Sequence, residues 1–390
     1  MLRVTSSVDD LLSKYQYTKK YMKKLPILYS LIGTIIGASF FSLPFVFNNQ
    51  NFLLSCILFL LISIVSLYTN YLYSKIIVDT HSQHQLPGYS AIYLGQKYKD
   101  IVSIMLLLGS LGSNLAYIII IISFVKVLLP NLLNVEEIVA ILFVTIFGLS
   151  TLNTKLFNSL EKYLTSLLIL LLFFLSYILL TKTTNYSTLE VLINNKISFS
   201  SIPLLLGITL AANTGFSILP DMKNALIKSN LKQTIIINSA IPIILYLGFI
   251  IAVLVNSNIV SENALSGLLI NKPIIILAAM VGLLAVTTSY QSLSVTSIET
   301  LMQDFNLSKK LSFFIVIIIP LILFIVGVNQ LVLVIGTVGG LFTAFSHLIV
   351  YLIYKVKYKS NIIIELFSYI LILMIGYEIF LLTFRVFKVF

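Results

Sequence analysis

Long apolar blocks alternate along this chain with short polar connections. Several blocks reach the ~18–20 uncharged residues that a bilayer crossing needs. Eleven spans are expected: 26–47, 51–78, 101–129, 138–152, 163–181, 202–227, 234–255, 273–298, 311–328, 331–354 and 362–384. Only Asn48, Asn49 and Gln50 separate spans 1 and 2, so these two should form a tight antiparallel pair. A polar loop from His81 to Asp100 and a second at 182–201 are the longest interruptions after residue 25.

Composition makes this a membrane chain rather than a soluble one. Hydrophobic residues are 58% and charged residues 10% of 390, with mean hydropathy +1.04, far from globular averages. The apolar run after Lys24 is too long for a signal-peptide core and has no small-residue cleavage site, so the first span is expected to remain. One cysteine, Cys56, excludes an internal disulfide and any multi-cysteine metal site. His81 and His84 stand three apart in a polar loop without a clear third ligand, which reads as a solvated loop.

A net charge of +11 brings nucleic acid to mind, yet the lysines sit at span ends. Placing the N-terminus inside puts 19 of the 25 Lys and Arg on the inner side: six before residue 25, three each in 75–99, 223–232 and 355–359, and two each in 155–162 and 309–310. Positive residues favour the cytoplasmic side. The reading is a multi-pass plasma-membrane protein with a cytoplasmic N-terminus and an external C-terminus. Lipid is its environment, nucleic acid is no partner, and a monomer or weak oligomer is expected.

Two spans are interrupted where lipid could not satisfy a broken backbone. Span 1 carries Gly33-Thr-Ile-Ile-Gly37 and Pro44, and span 6 carries Ala212-Asn-Thr-Gly215 and Pro220. A mid-membrane break survives only where it lines a cavity inside the protein. The breaks are about 180 residues apart, as are spans 3 and 8. A repeat of five spans, an odd number, inverts its second copy, and matched breaks in inverted halves mark a transporter's central site. The expected division is a tail (1–25), a first repeat (26–181), an external loop (182–201), a second repeat (202–354), and span 11 with a short external end (355–390).

Gly33-Thr-Ile-Ile-Gly-Ala-Ser-Phe-Phe-Ser-Leu-Pro44 resembles the first-span signature of permeases of the amino acid–polyamine–organocation superfamily, and it is most similar to the hydroxy/aromatic amino-acid permease branch. Leu86-Pro-Gly-Tyr-Ser-Ala-Ile-Tyr-Leu-Gly95 resembles that branch's loop after span 2, and Leu284-Ala-Val-Thr-Thr-Ser-Tyr-Gln-Ser-Leu293 its eighth span. Ser39 departs from the pattern, which has a third glycine there. The resemblance implies an all-α protein with a LeuT-type 5+5 inverted repeat, discontinuous spans 1 and 6, and alternating access. It also implies a neutral, aromatic or hydroxy amino acid as substrate.

Elementary electrostatics assigns roles at the breaks. The half-helix after Gly37 begins with free N–H groups and a positive dipole end, suited to a carboxylate. Gly37, Ala38 and Ser39 are therefore candidate anion contacts. Carbonyls near Ile32, Ala212 and Asn213 would accept from an ammonium, with Gly33, Thr34 and Gly215 completing the breaks. Phe216 is a candidate gate or side-chain contact. Asn114 and Tyr117 lie mid-span, where a polar side chain must be used or paired.

The ion candidates are Gly33, Ala285, Thr288 and Ser289, whose A-x-x-T-S spacing is similar to sodium ligands of sodium-coupled LeuT-type transporters, and Asp221 for a proton. Glu299, His347 and Glu378 are further acids and bases to place. No cofactor beyond a coupling H+ or Na+ is expected. Neither H-E-x-x-H nor a G-x-S-x-G motif with a partner histidine occurs, which argues against an intramembrane enzyme. An amino-acid-binding receptor of the same fold, germinant-receptor-like and without net transport, is the alternative.

Overall fold

The computed structural model describes residues 31–129, 136–151, 155–181, 187–257, 259–266, 268, 272–359 and 361–389. The expected tail and the start of span 1 lie outside them. Every regular element among the described residues is helical, apart from one isolated bridge between Ser257 and Leu268.

Eight helices are long and apolar enough to cross a membrane: Phe52–Val78, Gln96–Leu128, Tyr163–Thr181, Phe199–Ile218, Leu231–Val255, Lys272–Met302, Leu331–Tyr358 and Ile362–Thr383. The segments expected as spans 4 and 9 are shorter helices, Glu136–Ser150 and Lys309–Ile325. Span 1 is interrupted. Length and composition therefore mark eight candidate crossings among the described residues, and the expected count of eleven is not established by them.

Other boundaries also shift. Much of the loop after span 2 is helical, because Pro87 starts Leu86–Leu94 in its first turn and Gly95, at φ 105°, ends it. Span 3 then begins at Gln96. Beyond its break, span 6 is a 3-10 turn, Phe216–Ile218, and a separate short helix, Lys223–Ile227.

The packing is that of two interlocked, inverted halves. Span 3 lies against span 8. Span 6 packs on span 2 as span 7 packs on the second half of span 1, and span 7 on span 5 as span 10 on span 2. Span 8 contacts span 5 as span 3 contacts span 10. Each contact recurs with both partners displaced by five spans, so the fold is the 5+5 inverted repeat, with span 11 laid outside against span 10.

Small residues allow the tightest crossing. Spans 6 and 10 meet backbone to backbone, where a Cβ on Gly339 would collide with the Gly207 carbonyl. Gly339 lies in a π-helical stretch, Val338–Thr343. Outward side chains such as Ile57, Ile64, Ile244 and Leu373 are exposed and apolar, which fits a lipid-facing surface.

Two faces cap the bundle. On the face carrying residues 79–95, Lys223 Nζ donates to the carbonyls of Thr80, His81 and Ser82, tying span 6 to the end of span 2. Gln83 and Gln85 reach the Pro220 carbonyl and the Asp221 carboxylate. On the opposite face, Gln50 and Asn51 bond the backbone at 193–198. There Ser42 Oγ also donates to the Glu262 carbonyl at 3.0 Å.

Candidate functional site

The first break follows from local chemistry. Helix geometry persists from Leu31 to Ile35 and then tightens. Gly37 N–H turns back to Ile35 O at 2.9 Å, and a 3-10 turn runs over Ala38–Ser42 before Pro44 opens the helix Leu43–Asn48. The leading N–H groups of that turn, at Ala38 and Ser39, have no acceptor inside it.

At the second break, the helix Ile202–Asn213 ends in an extended Thr214. Two side chains fold back onto carbonyls of its last turn: Asn213 Nδ2 donates to Thr209 O at 2.9 Å and Thr214 Oγ1 to Leu210 O at 2.6 Å.

Neighbouring spans then supply donors to the exposed carbonyls. Tyr246 Oη on span 7 lies 3.0 Å from Ile35 O and 3.1 Å from Ala212 O, one from each break. Ser66 Oγ on span 2 donates to Asn213 O at 2.7 Å, and Ser289 Oγ on span 8 to Ile36 O at 3.2 Å. Tyr246 and Ser66 were not singled out by sequence reasoning. Both sit in spans with no break, and their partners are distant in sequence.

Between the breaks lies a cavity of about 140 Å³, room for several waters. Its walls include Thr34, Gly37 and Ser39 of span 1, Tyr117 of span 3, Phe216 of span 6 and Ser289 of span 8. Among the described residues, no Asp, Glu, Lys, Arg or His lines it. Gly37 is needed for close approach: a Cβ there would stand 3.2 Å from Tyr117 Oη and 3.3 Å from Ser289 Oγ.

Met105, Leu293 and Ser346 carry the cavity lining toward the 79–95 face. Toward the other face a buried aromatic cluster fills the space. Phe40 stacks on Tyr246 at 5.5 Å, and Phe41 meets Phe124 and Phe249 edge-on at 4.8 and 5.7 Å.

The expected site residues divide. Thr34, Gly37, Ala38, Ser39, Tyr117, Phe216 and Ser289 line the cavity. Ile32, Gly33, Ala212, Asn213 and Gly215 lie at the breaks without lining it. The carbonyls expected to be free for an ammonium already have partners: Ile32 O accepts from Ile36 N, while those of Ala212 and Asn213 accept from Tyr246 and Ser66.

Asn114 is turned away, donating to Ser294 Oγ and Val316 O. Thr288 Oγ1 bonds the carbonyls of its own helix at Leu284 and Ala285, and Ala285 is fully buried. Gly33 sits beneath Thr165, whose buried Oγ1 would be 2.5 Å from a Cβ there. Asp221 lies outside the cavity, on the 79–95 face. The surrounding protein holds its carboxyl above the ordinary range, partly offset by the Gln85 amide. His347 is fully buried behind the wall, its Nδ1 2.9 Å from Thr343 O and its ring 5.2 Å from that of Phe216. Among the described residues no cluster of His, Cys, Asp and Glu could hold a metal.

Solved structures share this architecture. The chain superposes on MhsT in complex with L-phenylalanine with TM-score 0.64 at 14% identity, covering 91% of this chain and 98% of that one. For Mhp1, a nucleobase-cation-symport-1 family transporter with bromovinylhydantoin bound, the values are 0.57 and 12%, over 84% and 77%. For a variant of the Eremococcus coleocola manganese transporter they are 0.54 and 13%, over 91% and 84%. The fold is therefore that of the LeuT-type transporters. No curated protein sequence matches the chain. The tryptophan/tyrosine permease family model matches residues 28–363, and the chain belongs to that family. It is a multi-pass membrane transporter for amino acids or similar small molecules, and not an enzyme.

Proposed function

We propose that this protein is a secondary active transporter carrying a neutral amino acid with an aromatic or hydroxyl-bearing side chain, driven by H+ or Na+. The observation that carries this reading is a cavity with no charged lining residue among the described residues, in which the N–H groups of Ala38 and Ser39 have no acceptor inside their own turn. The free N–H groups suit a carboxylate and the wall hydroxyls of Ser39, Tyr117 and Ser289 can accept from an ammonium, which fits a zwitterion, whereas a net-charged ligand would have no countercharge there. The volume admits a ring, and the family and the phenylalanine held by MhsT favour an aromatic one.

The face at 79–95 is the cytoplasmic one by this reading, because the lysines of 223–232, 309–310 and 355–359 cluster at span ends there. The cavity then opens inward, with the Phe40–Phe41–Tyr246 cluster as its closed outer gate. Hydroxyl oxygens of Ser289 and Thr165 lie against the first break, at the Ile36 carbonyl and at Gly33, and would give a cation hard ligands without a carboxylate.

Uptake of tritiated tryptophan, tyrosine, phenylalanine, serine and threonine into proteoliposomes tests this, with an imposed proton or sodium gradient as the driving force. Accumulation above equilibrium that collapses with one of the two gradients is expected. Saturable binding with no gradient-driven accumulation would replace the transporter by a receptor of the same fold.

A further inference from the structure

We propose that Tyr246 is a positioning residue that locks the two breaks to one another and so sets the affinity of the cavity, an inference that rests on the transporter reading above. Its hydroxyl is the one side-chain group bonded to both interrupted spans among the described residues, at 3.0 Å from Ile35 O and 3.1 Å from Ala212 O. A phenol has one proton to donate. Ile35 O already accepts the Gly37 N–H at 2.9 Å. A carbonyl oxygen has a second lone pair, so the single phenol proton is shared between Ile35 O and Ala212 O and can pass from one to the other.

The ring cannot drift. It is fully buried, stacked within 8° of parallel on Phe40, and Phe249 on the same span holds Phe40 and Phe41 edge-on. The hydroxyl is thus delivered by a ring fixed independently of it. Ile35 itself lines the cavity, as do Ala211 and Thr214 on either side of the second break. Displacing either carbonyl moves cavity wall. A proton shared in this way can turn to whichever carbonyl a shift of the cavity wall leaves short, so neither is stranded and the half-helices keep their register.

Tyr246→Phe removes the hydroxyl and keeps the ring. Two readouts apply to the full-length protein in proteoliposomes. Kinetically, KM for tritiated tryptophan should rise about tenfold, the size expected for one buried hydrogen bond. The maximal rate per folded molecule and the melting temperature should change little. By hydrogen-exchange mass spectrometry without substrate, amides at 36–42 and at 210–218 should both exchange faster, while the rest of span 7 keeps its protection. A merely structural tyrosine would lower the melting temperature or the active fraction at unchanged KM. Unchanged KM together with unchanged exchange at either break overturns the proposal. Failure of the unaltered protein to take up any of the five amino acids would instead overturn the transporter reading, and the exchange readout would still decide whether Tyr246 locks the breaks.

Discussion

Gly37 offers the sharpest test of the cavity. A Cβ at this position stands 3.2 Å from Tyr117 Oη and 3.3 Å from Ser289 Oγ, tighter than ordinary van der Waals contact. Alanine therefore forces shifts of a few tenths of an ångström, and one of the displaced groups is the hydroxyl that donates to Ile36 O. Overpacking of this kind costs about 1–3 kcal/mol. Alanine should fall at the low end, about 1 kcal/mol and a roughly fivefold loss of affinity. Valine, whose added methyls also enter the space beside the Ala38 and Ser39 N–H groups, should fall at the high end, about 3 kcal/mol and a loss of a hundredfold or more. The groups that a Cβ at Gly37 meets are side-chain hydroxyls at a cavity wall and not backbone, so both variants should insert and purify as monodisperse protein. Equilibrium binding of tritiated tryptophan, with thermal melting of the same preparations, separates affinity from folding. Wild-type affinity in a folded Gly37→Val protein would falsify the assignment of this cavity as the substrate site.

Ser289→Ala leaves the Ile36 carbonyl without its side-chain donor and removes a hydroxyl oxygen from the ion candidates. Apparent affinity for the coupling ion should fall several-fold, measured as uptake against sodium concentration and external pH. Ion dependence identical to that of the unaltered protein rules against a ligand there. Lys223→Met should lower the stability of the 79–95 face, since three carbonyls at the end of span 2 lose a buried ammonium donor. Charge-assisted bonds of this type are worth ~1.5–3 kcal/mol each, offset by relief from burying the charge. A net loss of about 2 kcal/mol is expected, read as a lower melting temperature beside Lys228→Met, an exposed control. Equal melting of the two variants counts against the latch.

Much of this protein was written in one dimension. Membrane spans are legible because lipid penalises every polar group, so long uncharged blocks have one economical fate. The breaks are legible because Gly33, Gly37 and Gly215 stand where glycine has a cost, and the offset between the two breaks, similar to that between spans 3 and 8, pointed to the inverted repeat. Gly37, Ser39 and Phe216 could be assigned to one site on that basis, while Tyr117 stood out by its mid-span position and Ser289 by its resemblance to sodium ligands of LeuT-type transporters. What the sequence could not determine was how each break is satisfied. The donors to Ile35, Ala212 and Asn213 come from Tyr246 and Ser66, on spans whose own patterns are unremarkable, and packing alone brings them there. Packing likewise turned Asn114 and Thr288 away from the cavity, since a mid-span hydroxyl or amide satisfies itself equally well on its own or a neighbouring helix. Which way the cavity opens was also a tertiary matter. It depends on whether Phe40 and Phe41 find Tyr246, Phe124 and Phe249 across the bundle, and such contacts leave no periodic trace along the chain.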